Sequence, residues 1–136
     1  MTDRESALVA RMGSMISEHA RRSNDPIELA VSGAIGEAMA SGRVAAFEDK
    51  TLWSGSARHG AVVLGRLYLH ASILDGAESL DVPYCPYPLE MLYHEGVHLT
   101  QSCVSLVFAA EASENGAREE TKRFSDAWEL ERRGGR

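Results

Sequence analysis

Two cysteines, Cys85 and Cys103, are all that the 136 residues contain. They are too few and too far apart for a disulfide scaffold or a four-cysteine zinc site, so two free thiols are expected. Long hydrophobic runs are missing as well, and no apolar segment approaches the length that crosses a bilayer. The opening stretch MTDRESALVARMGSM carries charge along its length and lacks the apolar region of a signal peptide. The default expectation is a cytoplasmic chain with no membrane partner. Dense positive charge is also absent: 14 Lys and Arg stand against 20 Asp and Glu, a formal net charge of −6. Without a basic patch to neutralise phosphates, a nucleic-acid partner is not expected. Arg132, Arg133 and Arg136 lie in a glycine-containing tail and read as a solvated end. There is no internal repeat, low-complexity tract or long linker, so residues 1–136 are read as one domain of unassigned oligomeric state. Hydrophobic residues at 44% and charged residues at 25% suffice for an ordinary globular core.

Residues 4–22 place Leu8, Met12, Met15, Ile16 and His19 at helical spacing, predicting an amphipathic helix. Asp25 reads as the N-cap of a second helix with Pro26 as its first residue, running through Ile35 and Met39 to a terminating Gly42. The pattern then changes. Residues 43–53 and 61–74 are rich in Val, Leu, Tyr and Trp with partial alternation, and SGSARHG separates them. Two to three strands of a small sheet follow from this. Asp75-Gly76 reads as a turn, and the three prolines of DVPYCPYP predict an irregular segment. A long helix is expected from Leu89 to about Ser113, with Ser113-Glu114-Asn115-Gly116 as its end. A last helix then carries Ala117, Thr121, Phe124, Trp128 and Leu130. Two helices, a small sheet and two further helices make an α+β domain.

The fourth of these elements holds His94-Glu95-Gly96-Val97-His98, an H-E-x-x-H pattern. Positions i and i+4 of a helix lie on one face, so both imidazoles can reach one metal ion. Glu95 lies one residue round the helix, where it reaches a water on the metal rather than the metal itself. Zinc acidifies such a water, and the carboxylate takes the proton as general base. A chance match, with two histidines in an ordinary polar patch, is the bland alternative. The surrounding helical pattern and the strand-rich segment before it favour the metal.

The stretch from about Val62 to Gln101 resembles the core of the zincin-like metallopeptidases, and HEGVHLTQ is similar to small bacterial HExxHxxQ domains. The resemblance implies a minimal zincin-like fold, His94 and His98 as Zn2+ ligands, Glu95 as catalytic base, and a zinc metallopeptidase acting on a peptide or protein substrate. It also implies an edge strand within residues 61–75 that holds the substrate in extended form. No histidine follows His98, so a downstream His ligand of the metzincin kind is excluded. A gluzincin-type Glu is then needed, although none of the later acids fits the E-x-x-x-D pattern. At about 100° per residue, Glu120 falls about 60° from the centre of the last helix's apolar stripe, while Glu119 points away. Glu120 is therefore taken as the third ligand. Glu114, which opens E-N-G-A, ranks second, and the bland reading of Glu120 is an edge residue paired with Lys or Arg.

Gln101, three residues after His98, is placed to orient substrate or to support a ligand. Gly96 costs about 1 kcal/mol in a helix relative to Ala, which suggests close approach of another element. Tyr84, Tyr87 and Tyr93 are oxyanion candidates, with aromatic packing the plainer reading. His59 and His70 read as a loop and a strand residue. Two rival classes remain. Glu95-x-x-His98 matches half of a ferritin-like di-iron site, but no second E-x-x-H exists. A non-catalytic metal-binding or protein-interaction module would keep the motif without hydrolysis.

Overall fold

In a computed structural model of the chain, the structure describes residues 1–48, 60–76, 87–101 and 109–134. Helix α1 spans Asp3–Ser23 and starts in a capping box: the Thr2 hydroxyl accepts from the Glu5 amide at 3.1 Å and the Glu5 carboxylate accepts from the Thr2 amide at 2.8 Å. Helix α2 spans Pro26–Ala40, and Asp25 caps it as the sequence predicts, accepting from the Ile27 and Glu28 amides. Beyond its end the chain passes Gly42 at φ +72°, where a side chain would be strained.

Strands β1 (Val44–Phe47), β2 (Gly60–Val63) and β3 (Arg66–His70) form a mixed sheet in the order β1-β3-β2. β1 pairs parallel with β3, and β2 pairs antiparallel with it. The β2–β3 hairpin turns at Leu64-Gly65, both with positive φ, as a two-residue turn matching the twist of the strands requires. Residues 71–74, read above as the end of a strand, instead begin helix α3 (Ala71–Gly76), which also takes in Asp75-Gly76. There the extended pattern yields to local packing: Ile73 and Leu74, adjacent in sequence, are both buried, whereas a strand would turn one of them away. Most of DVPYCPYP lies outside the described residues; its last two, Tyr87 and Pro88, open a helix.

Helix α4 (Tyr87–Thr100) is the hub, touching α1, α2, α3, α5, β2 and β3. Its inner side buries Leu89, Leu92, Tyr93 and Val97 against Met12, Ile16, Val31, Ile35, Leu67 and Leu69. Gly96 lets α2 come in: a Cβ there would lie 2.7 Å from Ile35 Cδ1 and 2.9 Å from Val31 Cγ1. The helix expected to run from Leu89 to Ser113 ends at Thr100, with Gln101 in a bend, and residues 102–108 are outside the description. Helix α5 then covers Ala110–Gly134 without a break. The expected stop at residues 113–116 is inside it. Ser113 is buried, and Gly116 packs near the Gln101 amide, so tertiary contact overrides the weak helix propensity of that stretch. The result is a small α+β fold of five helices and three strands among the described residues. No helix among them is long and apolar enough to cross a membrane.

Asp25 also ties α2 to α5, accepting from Arg123 at 2.5 Å and 3.1 Å. That bond, with the α2 amides, holds its carboxyl down to about 2. Because the folded-state value lies below the unfolded one, the contribution is complete above the unfolded value and is lost as pH falls through the folded one. Asp25→Ala is expected to cost about 1–2 kcal/mol near neutral pH. That difference should shrink between about pH 4 and pH 2. Urea midpoints of both proteins across that range check it, and a pH-independent difference would refute the assignment.

Candidate metal centre

One face of α4 carries His94, His98 and, just past the helix end, Gln101, spaced i, i+4, i+7. Facing it on α5 are Glu114 and Thr121, on the same strip of helix as the buried Ala117, Phe124 and Trp128. His94 Nε2 lies 2.7 Å from one Glu114 oxygen and His98 Nε2 lies 3.2 Å from the other. The two imidazoles meet edge-on, 5.0 Å between centroids. One ligand atom from each of His94, His98 and Glu114 falls within 4.8 Å of the others, a spacing that suits one shared cation.

The outer ring nitrogens decide how the inner ones present themselves. His98 Nδ1 is 2.7 Å from the Gln101 side-chain oxygen, which only accepts, so Nδ1 carries the proton. The Gln101 amide nitrogen in turn donates to the Ser113 carbonyl at 3.0 Å, which fixes its orientation and bridges α4 to α5. Thr121 Oγ1 donates to the Ala117 carbonyl at 2.6 Å and leaves lone pairs toward His94 Nδ1 at 3.5 Å. Both imidazoles therefore direct Nε2 at the Glu114 carboxylate. Outer partners that set the tautomer in this way are the usual support of metal-binding histidines.

Burial lowers the His94 pKa against the opposing pull of Glu114, favouring the neutral ring that a metal needs. Burial alone would raise the Glu114 pKa, but the charges and hydrogen bonds of His94 and His98 outweigh it and the net shift is downward. Two imidazoles and a carboxylate fit a divalent cation of borderline softness such as Zn2+.

Glu120 is not brought to this cluster. It accepts from Arg123 at 2.8 Å and 3.1 Å, in line with the chain of contacts that reaches Asp25. The expectation of Glu120 as ligand rested on its phase beside the apolar stripe of a helix carrying Ala117, Thr121, Phe124 and Trp128. Since α5 begins at Ala110, its inward strip extends back one turn, and Glu114 takes the position opposite the histidines. Glu95 is 4% exposed and packs its carboxylate against Gly60 at the start of β2. Tyr93 is fully buried, stacked on Phe124 at 4.1 Å, which is aromatic packing. Tyr87 is half-exposed and lines a groove of about 370 Å³ between α4 and α5, together with Met91, His94, Arg118 and Thr121. His70, the last residue of β3, takes an amide hydrogen bond from Ser72 on Nδ1 and donates to the Glu48 carbonyl through Nε2, a structural role. Tyr84, His59, Cys85 and Cys103 lie outside the described residues. Thr121 was read from sequence only as part of the apolar stripe; a hydroxyl in such a stripe was the one available signal of its contact with His94.

Comparison with protein families, with curated proteins and with solved structures found no match.

Proposed function

We propose that the chain is a zinc-dependent hydrolase of zincin-like type that cleaves a peptide or amide bond. The convergence of His94 Nε2, His98 Nε2 and the Glu114 carboxylate, with the outer nitrogens occupied, carries this reading. Zinc bound there would act as a Lewis acid and lower the pKa of the attacking water. Glu95 follows His94 directly and would take the proton of that water as general base. Three protein ligands leave one position free, the arrangement of a catalytic rather than a structural zinc. The groove beside His94 offers room for a substrate chain, and β2, at the sheet edge among the described residues, offers backbone groups to align it. A non-catalytic metal-binding module remains the competing class, and activity separates the two.

Purified protein is expected to hold about one zinc per chain. Glu95→Gln should retain it, and His94→Ala should lose it. Cleavage of a quenched-fluorescent peptide library should fall about 10²–10⁴-fold in Glu95→Gln, the range for loss of a general base. Wild-type protein without stoichiometric metal would sink the proposal. Metal without any cleavage would leave the binding module.

A further inference from the structure

We propose that Gly60 is the positioning residue for Glu95: the space left by its missing side chain is the seat of the Glu95 carboxylate. A Cβ at residue 60 would lie 2.8 Å from Glu95 Cγ and 2.9 Å from Oε2, closer than such atoms approach in practice, and 3.1 Å from Cδ. The backbones on both sides of this contact are held in place. Gly60 is held in the ladder opposite Leu69, which is fully buried. On another side of α4, Gly96 already lies against Ile35 and Val31 with no space for a single carbon. The helix is thus clamped between α2 and β2, with a glycine at each contact, and a methyl at residue 60 must displace the carboxylate itself.

The catalytic half of this inference rests on the hydrolase reading above; the seat does not. A general base works only within hydrogen-bond reach of the proton it removes. A misplacement of about 1 Å costs on the order of 10²-fold in rate. Gly60 also begins the edge strand, so one residue sets both the start of the substrate-aligning edge and the place of the base.

The test is a stability cycle joined to kinetics on zinc-loaded protein. Gly60→Ala is expected to lower the urea midpoint in the wild-type background and to leave it unchanged or raised in the Glu95→Ala background. With the quenched-fluorescent peptide library resolved to one cleaved peptide, Gly60→Ala should reduce kcat about 10–100-fold with KM nearly constant. Zinc content should stay at the wild-type value. If Gly60→Ala does not fold alone, recovery of folding in Gly60→Ala/Glu95→Ala upholds the seat and failure to recover overturns it. An equal midpoint shift in both backgrounds overturns the proposal, as does a coupled shift with unchanged kcat. Zinc-loaded wild-type protein that cleaves nothing would instead refute the hydrolase reading, and the cycle would still decide whether Gly60 seats Glu95.

Discussion

Glu114→Ala is expected to weaken zinc binding by at least about 100-fold, whereas Glu120→Ala should stay within about threefold of wild type. The first figure exceeds the 10- to 100-fold typical for residues that only support a ligand, because Glu114 faces both Nε2 atoms directly. It is also the only carboxylate among the described residues that joins the two histidines in one cation-sized group. Glu120 is committed to Arg123, and its loss removes a partly exposed ion pair of about 0–1 kcal/mol. Gln101→Ala should fall between the two, about 10- to 100-fold weaker, since it orients His98 without facing the cation. Competition titrations with a chromophoric zinc chelator measure all three. Zinc lost in Glu120→Ala and kept in Glu114→Ala would reverse the assignment.

Glu28→Ala should destabilise the fold by about 1–3 kcal/mol, the range for leaving a buried polar group without its partner. Glu28 is 1% exposed and His19 2%. His19 Nε2 is 3.2 Å from Glu28 and its Nδ1 is 3.2 Å from Glu131, close enough for ion pairing although neither contact is aligned as a hydrogen bond. Ser23 Oγ donates to the same Glu28 oxygen at 2.5 Å. Tyr93, whose buried hydroxyl has no hydrogen-bond partner among the described residues, is pushed upward in pKa by burial and then by the Glu28 charge. Removing the Glu28 carboxylate leaves only Glu131 facing His19 and opens a cavity among α1, α2 and α5. The double change His19→Leu/Glu28→Met should recover much of the loss, because apolar side chains of similar volume need no partner. Urea denaturation reads both effects. A Glu28→Ala cost under about 1 kcal/mol would show that the pair is not buried as described.

The histidine pair was legible in the sequence because it depends on one helix alone: i, i+4 spacing places both rings on one face wherever that helix goes. The first two helices were legible for the same reason, down to Asp25 as cap and Pro26 as first residue. The carboxylate that faces the pair was not. Its identity depends on where α5 begins, and Ser113-Glu114-Asn115-Gly116 has the local chemistry of a helix end. Packing of Ser113, Ala117, Phe124 and Trp128 against the rest of the molecule carries the helix through that stretch. A shift of about two turns in the start puts Glu114 on the inward strip in place of Glu120.

Gly60 shows the same division. Nothing in its neighbourhood in sequence marks it, since it belongs to a Gly/Ser-rich connection. Only the crossing of β2 over α4 puts it against Glu95. By itself the sequence determined the H-E-x-x-H face, the α+β class and the absence of a long apolar run. Tertiary structure decided which carboxylate meets the histidines, what orients each ring and where the Glu95 carboxylate rests. Those are distances between elements remote in the chain, and short-range propensity carries no information about them.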